Sequence, residues 1–357
     1  MAGTLPSKDP GKQTSKKLIY GALGIFVLLY PLVRFQAGPF EVDFTRPYAR
    51  HLLILVFMYA LTAQAWNILA GYCGQVSFGH VAYFGVGAYT SSMLYMNFNL
   101  SPWIGMLAGA VAAICIALLV GVPTFRLTSH YFAIATLAVA EIIQTLFINW
   151  NAAGEAKGLW LAVMPDGLLN FQWKSKLPYY YIALGLLGLV YLATYWMEQS
   201  KLGYYFRAIR DDAIASGSLG INALKYKLVA LSMSAAFSAL AGTFYAQYVL
   251  FIDPFSVLIL QHSVLVVLLA TFGGVGTYWG PIVGSAILIP VSEFVRIRFG
   301  GTGGAEDLIA YGVLIVFITL FEPTGIVGIY RKHIVPSLFP QRVMVDVHAM
   351  VDEPSEE

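Results

Sequence analysis

Charged residues are scarce in this chain. Only 11% of its 357 residues are Asp, Glu, Lys or Arg, whereas 58% are hydrophobic. A soluble domain of this size would contain about 25% charged residues. The composition therefore excludes an ordinary soluble protein and predicts an all-α, polytopic integral membrane protein surrounded by a lipid bilayer. The net charge of +2 gives no reason to expect a nucleic-acid partner.

Cysteine and catalytic motifs are scarce as well. The only cysteines, Cys73 and Cys115, lie in apolar segments and are predicted to be small buried residues. No set of His, Cys, Asp and Glu has the spacing of a metal site, and no Ser–His–Asp arrangement can be assembled. A G-x-x-x-x-G-K-[ST] loop is missing, so nucleotide chemistry must come from another chain. The sequence predicts neither an enzyme nor a cofactor or metal bound by this chain.

Apolar runs long enough to cross a membrane recur along the chain, since about 20 mostly apolar residues are enough. We predict about eight to ten transmembrane helices, of which the eighth and ninth are short and interrupted by glycine. The predicted spans are 18–35, 51–71, 78–98, 104–122, 131–150, 178–197, 228–250, 257–272, 280–295 and 307–321.

Positive charge orients these helices, because cytoplasmic loops carry an excess of Lys and Arg. Residues 1–17 contain four lysines and are predicted to be a cytoplasmic segment ahead of a retained first helix. The polar segment 201–227 and the tail 326–357 then also lie in the cytoplasm, with the membrane domain at 18–325. The arginines that this orientation leaves outside are Arg34, Arg46, Arg50, Arg296 and Arg298.

The segment 201–227 is the longest charged stretch between the first and last apolar runs. Residues 206–219 are predicted to form one short helix that ends at Gly220. Small residues recur there at helical spacing and leave one face without bulky side chains: Ala213, Ser216, Gly217 and Gly220. A helix of this kind at a membrane surface is suited to contact a partner protein. The alternative is an ordinary loop between two spans.

A glycine-rich motif at 67–90 reads NILAGYCGQVSFGHVAYFGVGAYT. Gly71 and Gly74 are predicted to interrupt a helix, and non-helical backbone at membrane depth persists only beside protein or a water-filled cavity. We therefore predict that this segment lines a translocation pathway, with Gln75, Ser77 and His80 facing it. The alternative is that its small residues form a close helix-packing surface.

A second glycine-rich motif, FGGVGTYWGPIVG, occupies residues 272–284. Pro281 suits the first turn of the helix that follows. The motif is interpreted as a hinge or gate or, alternatively, as a tight turn at the membrane edge. The hinge residues would be Gly273, Gly274, Gly276 and Pro281.

Glu141 lies in the middle of the predicted span 131–150. A charged group near the bilayer centre is costly unless it faces the protein interior, so Glu141 is a candidate pathway residue with Gln144 as its neighbour. The alternative is a protonated or internally paired structural glutamate. His262, at the start of a span, is predicted to be an interfacial residue rather than a ligand.

Four stretches together resemble the permease subunit of bacterial ABC importers for branched-chain amino acids, of the LivM type. They cover most of the chain between about residues 60 and 325, in the same order. These stretches are GYCGQVSFGHVAYFGVGAYT at 71–90, FRAIRDDAIASGSLGIN at 206–222, SAAFSALAGTFYAQYVLFIDPFS at 234–256 and FGGVGTYWGPIVGSAI at 272–287.

The resemblance implies a pore made of two permease chains, the second a different chain, in the bacterial inner membrane. Two ATPase subunits would bind ATP and Mg and dock on cytoplasmic loops, and a periplasmic binding protein would deliver the substrate. Segment 201–227 matches the ATPase-coupling loop. Its implied coupling residues are Arg207, Arg210, Asp211, Asp212, Ala215 and Gly220. Residues 216–218, Ser-Gly-Ser, replace the helix-favouring residues more common there and imply a less stable helix.

The sequence therefore predicts a non-catalytic, pore-forming subunit of an ATP-driven importer for branched-chain or related hydrophobic amino acids. Permeases for urea, aromatic acids or small carboxylates are alternatives. The urea branch has LLSLGH where this chain has QVSFGH at 75–80, which favours amino acids. A secondary transporter with Glu141 as its proton or cation site is a further alternative, although it leaves the charged segment unexplained. A membrane enzyme is the least favoured.

Overall fold

The computed structural model describes residues 34–37, 40–43 and 47–299. Two short antiparallel strand pairs accompany the helices, β1 (Arg34–Ala37) with β2 (Phe40–Asp43) and β3 (Leu159–Trp160) with β4 (Phe251–Ile252). The helices are α1 (Pro47–Asn67), α2 (His80–Phe98), α3 (Pro102–Thr124), α4 (Ser129–Ile148), α5 (Lys176–Gln199), α6 (Lys201–Asp211), α7 (Ala213–Ser218), α8 (Ala223–Val249), α9 (Pro254–Val257), α10 (Leu260–Gly273) and α11 (Gly280–Phe299). The all-α prediction is confirmed.

Six helices within the described residues are long and apolar enough to cross a membrane. They are Pro47–Tyr72, Pro102–Thr124, His130–Ile148, Lys176–Gln199, Ala223–Val249 and Pro254–Gly273. The predicted spans 78–98 and 280–295 are also helices, α2 and most of α11. The predicted segments 1–17, 307–321 and 326–357 lie outside the described residues, as does most of 18–35. The last two residues of 18–35 belong to β1, so that helix end was wrong.

Two helices hold the bundle together. α8 packs against α2 and α3, and α1 packs against α5, α8, α10 and α11. Large side chains are fully buried on each of the central elements, among them Trp66 on α1, Tyr89 on α2 and Phe244 on α8. The packing core therefore lies between α1, α2 and α8.

Glycine brings α2 and α8 close together. A Cβ on Gly242 would clash with the carbonyl oxygen of Phe84, and a Cβ on Gly87 would clash with the backbone of Ala239. The Thr243 hydroxyl donates a 3.0 Å hydrogen bond to the Gly87 carbonyl. Small residues permit such close approach, which favours helix association where water is absent. The helix-packing interpretation is confirmed for this face of the glycine-rich motif.

Two side chains lie elsewhere than predicted. Cys73 is buried, but Cys115 is exposed because the residues that the structure describes do not cover the outer face of α3. His262 is buried rather than interfacial, since α10 packs on α1 and α2. Its ring centroid lies 5.3 Å from that of Tyr59 and 4.4 Å from that of Phe84. Sequence position at the start of a span did not reveal this coverage.

Candidate functional site at a helix junction

The end of α1 is irregular. Residues Ile68–Tyr72 form a π-helical turn, and Gly74 adopts a φ of +74°, which L side chains rarely adopt. The segment that follows stays close to α1, where the Trp66 indole N–H donates a 2.7 Å hydrogen bond to the Ser77 carbonyl. The predicted helix interruption is confirmed, and protein groups satisfy the interrupted backbone.

The turn between α10 and α11 docks on this interruption through Asn67, which is fully buried. Asn67 Oδ1 accepts a 2.8 Å hydrogen bond from the Gly276 N–H, and its Nδ2 donates a 3.0 Å bond to the Thr277 carbonyl. A Cβ on Gly71 would lie 2.5 Å from Gly276 N and 2.8 Å from Gly276 Cα. The two glycine-rich motifs therefore touch backbone to backbone.

Arg210 of α6 completes the contact. Its Nη1 donates a 3.0 Å hydrogen bond to the Gly71 carbonyl. A Cβ on Gly74 would lie 2.7 Å from Arg210 Cγ, and a Cβ on Gly276 would lie 3.2 Å from Arg210 Nη1. We call Asn67, Gly71, Gly74, Arg210 and Gly276 the Arg210 junction. It joins the charged segment to both glycine-rich motifs.

The predicted hinge has the geometry of a tight turn. α10 ends at Gly273, and a Cβ there would clash with the Gly280 carbonyl. Gly274 and Gly276 have φ of +123° and +71°, which explains the need for glycine at both. Pro281 lies at the second position of α11. A hinge or gate role at this turn stays a prediction.

The charged segment contains two helices rather than one. Asp212, with a φ of −157°, separates α6 from α7. Its Oδ1 accepts hydrogen bonds of 2.8 and 3.0 Å from the backbone N–H groups of Ile214 and Ala215. These bonds cap α7 and lower the pKa of the Asp212 carboxyl. The prediction of a single helix at 206–219 was wrong because Asp212 starts a new one.

α7 lies almost entirely at the surface. Ile214 in α7 and Leu219 directly after it are 85% and 82% exposed, and Gly220 follows with a φ of +84°. Only Ser216 is buried, and its hydroxyl donates a 2.7 Å hydrogen bond to the Asp212 carbonyl. The small-residue face is therefore split between Ser216, which turns inward, and Gly217, around which there is open space.

The other coupling candidates lie beside the junction. Arg207 forms a 3.9 Å ion pair with Glu198 and donates from Nε to the Gly203 carbonyl at 3.3 Å. Asp211 forms a 3.4 Å ion pair with Arg210 at the surface. Arg207 thus fastens α6 to the end of α5, whereas Arg210 fastens it to α1.

Three of the four predicted pathway residues are buried inside the chain. They are Gln75, Ser77 and His80. His80 Nε2 lies 2.6 Å from the Ser234 hydroxyl, which donates its proton to the Ala65 carbonyl at 2.5 Å. Because that proton is already used, His80 Nε2 is the donor in its contact with Ser234. This network fastens α2 to α1 and α8.

The fourth predicted pathway residue, Glu141, is exposed on α4. Its role as a pathway residue stays a prediction, whereas the alternative of a glutamate paired inside the described part of the chain does not hold. Gln144 turns to α9, where its Nε2 donates a 3.1 Å hydrogen bond to the Pro254 carbonyl. Within the described residues, no hydrogen bond joins Glu141 to the buried group of His80.

Comparison with known proteins identifies the architecture. Residues 48–318 match the family described as "Branched-chain amino acid transport system / permease component". The chain belongs to this family. The match includes the Arg210 junction and α4, and it agrees with the LivM-type assignment made from the motifs. The permease is a multi-pass membrane protein of a transport system, and its relatives are transport permeases rather than enzymes.

Relatives of two kinds resemble the permease. The "high-affinity branched-chain amino acid transport system permease protein LivM" of Salmonella typhimurium is 27% identical over 354 residues, which cover 92% of this chain and 79% of the relative. LivM of Escherichia coli is 26% identical over 353 residues, with the same shares. LivH of Salmonella typhimurium is 24% identical over 287 residues, covering 76% of the permease and 91% of the relative.

Two residues that organise the permease were not assigned a role from sequence. Asn67 was noted only as the first residue of the motif at 67–90, and Ser234 only as part of the stretch at 234–256. An amide one turn before Gly71 within an apolar run was the available signal for Asn67, because a polar group in such a run requires a hydrogen-bond partner. Ser234 gave no such signal, since serine is common in membrane helices.

Proposed function

We propose that the permease is the pore-forming subunit of an ATP-driven importer for branched-chain amino acids. In this proposal two ATPase subunits, a second permease and a periplasmic binding protein assemble with it in the bacterial inner membrane, with the N-terminus in the cytoplasm. The observation that carries the proposal is the Arg210 junction, because it links an exposed, charged surface element to two interrupted membrane helices.

Energy has to enter this chain from outside. No phosphate-binding loop occurs in the sequence, so ATP and Mg would be bound by the ATPase subunits. α7 supplies a surface for them, since Ile214 and Leu219 expose apolar side chains beside charged Asp211 and Asp212. Apolar side chains surrounded by charge are typical of protein interfaces.

A movement of α6 would be transmitted through the junction. The Arg210 guanidinium holds the Gly71 carbonyl, and Asn67 holds Gly276 from the other side. The end of α1 and the turn before α11 would therefore move together when a partner pulls on α6. Such coupled shifts of helix ends are an established way to alternate access to a membrane pathway.

The second permease is inferred to be a different chain. LivM and LivH of Salmonella typhimurium are both named as permease proteins of the branched-chain amino acid transport system, and this chain resembles both. The LivM relatives align over more of this chain than the LivH relative does, 92% against 76%. This supports a LivM-like role here and a LivH-like partner.

Uptake by membrane vesicles that contain the assembled transporter tests the proposal. We expect labelled leucine to accumulate only with ATP, to persist with an uncoupler, and to exceed the uptake of urea or an aromatic acid. Replacement of both Asp211 and Asp212 by Ala should lower ATP-driven uptake while leaving membrane insertion intact. Leucine uptake that survives loss of ATP but collapses with the uncoupler would instead support an ion-coupled transporter.

A further inference from the structure

The position of Glu141 conflicts with a lipid environment. α4 has 20 residues, and Glu141 lies about 10 Å along the axis from its end at Ile148, at 1.5 Å per residue. Its side chain is exposed, and it has no hydrogen-bond or ion-pair partner among the residues that the structure describes. A carboxylate at that depth is unfavourable in hydrocarbon, so another protein surface or water must cover it.

The side chains one turn before and one turn after Glu141 are small, and one of them is polar. Ala138 lies one turn before it and Thr145 one turn after it, and both are exposed. Residues three and four apart share a helix face. Next to Glu141, the exposed face of α4 therefore has a hydroxyl and a small side chain that leaves room beside the carboxylate, and Ile134 lies two turns before Glu141 on the same face.

α4 is also the least covered of the six spans. Only 22% of its most apolar stretch is buried, against 39% to 72% in the others. The exposed face of α3 is different in kind, since it presents the apolar side chains of Leu107, Val111 and Leu119 at 69%, 60% and 77% exposure. The exposed face of α4 also presents apolar side chains, with Ile134 and Ile142 at 65% and 64% exposure, but it differs from that of α3 by the carboxylate of Glu141 among them.

We propose that the exposed face of α4 lines the translocation pathway where this chain meets a second permease, and that Glu141 binds the ammonium group of the transported amino acid. The inference rests on the proposed function. A free amino acid carries an ammonium group, and a carboxylate is its natural counter-charge. A pathway between two chains keeps Glu141 hydrated, which removes the conflict with lipid.

Cysteine labelling tests the location. In the purified transporter, Cys73 and Cys115 are first replaced by Ala; Ala138→Cys and Glu141→Cys are then compared with Leu119→Cys on α3. We expect a charged trimethylammonium methanethiosulfonate to modify positions 138 and 141, to spare position 119, and to be slowed by leucine. Modification of position 141 by a lipid-soluble maleimide alone would place this face in lipid, and no modification by either reagent would mean a dry interface. Both results overturn the proposal.

Transport measurements test the role of the charge. We expect Glu141→Gln to raise the KM for leucine uptake at least tenfold, with unchanged assembly of the transporter, and Glu141→Asp to retain most of the uptake. Leu119→Gln is the matched control and should leave the KM unchanged. Normal leucine uptake by Glu141→Gln would overturn the ammonium assignment. That result would not contradict the proposed function, which depends on ATP-driven uptake by the wild-type transporter.

Discussion

The Arg210 side chain donates a 3.0 Å hydrogen bond to the Gly71 carbonyl across 139 positions of the sequence. Arg210 belongs to α6, in the charged segment, whereas Gly71 lies in the π-helical turn at the end of the first span. The guanidinium therefore points into the membrane domain and away from the exposed surface of α7. Within the charged segment, Arg210 attaches α6 to the spans, whereas other residues, such as Ile214, face the surface.

Replacement of Arg210 by Ala should uncouple transport from ATP hydrolysis. We expect ATPase activity of the assembled transporter to continue while leucine uptake falls several-fold, because α6 would no longer hold the Gly71 carbonyl. The loss of the hydrogen bond should cost about 1 kcal/mol of stability. Arg126→Ala is the control, since Arg126 is an exposed arginine just after α3 and outside the charged segment. Equal loss of uptake in both variants would contradict a specific role for Arg210.

Replacement of Gly71 by Ala should damage the junction itself. The added Cβ would lie 2.5 Å from Gly276 N and would clash with Asn67 Oδ1, so the turn before α11 must shift. We expect a loss of about 1–3 kcal/mol of stability and of most leucine uptake, measured by thermal unfolding in detergent and by vesicle uptake. Gly185→Ala on α5 is the control, since nothing lies within 4 Å of its Cβ. A Gly71→Ala transporter that equals this control would refute the close contact.

Replacement of Asp212 by Ala should loosen α7, and Asp212→Asn should not, because an amide oxygen also caps a helix. Hydrogen exchange at the Ile214 and Ala215 amides measures the difference at neutral pH. The pKa of Asp212 is lowered from its ordinary value of 3.8, so the capping bond is stronger to the charged form. The contribution of the capping bond to the stability of α7 is therefore complete above pH 3.8, and it is lost as the pH falls through the lowered pKa of Asp212.

The pH dependence provides a separate check on the same residue. In acid, α7 of the wild-type permease should become less protected than α7 of Asp212→Asn, which does not titrate. If the two chains lose protection together as the pH falls, the capping carboxylate is not the cause.

Gly217→Ala should make α7 more stable without harming transport. There is open space around Gly217, and alanine favours helix over glycine by up to about 1 kcal/mol. We expect slower hydrogen exchange in α7 and unchanged leucine uptake. A marked fall in uptake would mean that a partner needs either the missing side chain or a flexible α7.

Ser234→Ala should destabilise the core. It removes the acceptor of the His80 Nε2–H and the donor to the Ala65 carbonyl, and buried groups left without partners cost about 1–3 kcal/mol. Ser232→Ala on the same helix is the control and should change stability by no more than about 0.5 kcal/mol. Thermal unfolding of both variants measures the difference, and equal melting temperatures would show that the His80 contact contributes little.

The sequence by itself determined local features of the permease: its spans, its glycine turns and its charged segment. Hydropathy located the described spans to within a few residues, since crossing a bilayer needs a fixed length of apolar helix. Glycine located the interruption near Gly74 and the turn at Gly274 and Gly276, because these three residues have a positive φ, which is a property of single residues. Because charged residues are scarce in the rest of the chain, the charged segment 201–227 could be recognised from the sequence.

Only the tertiary structure decided which of these local features meet. Asn67 binds Gly276 across 209 positions, and no local pattern encodes such a pair. The side on which a helix faces its neighbours was equally undecided, so Glu141 turned out to be exposed and His262 buried. Within a membrane helix nearly every side chain is apolar, so hydropathy cannot distinguish the packed face from the outer one. Packing against α1 and α8 made that distinction.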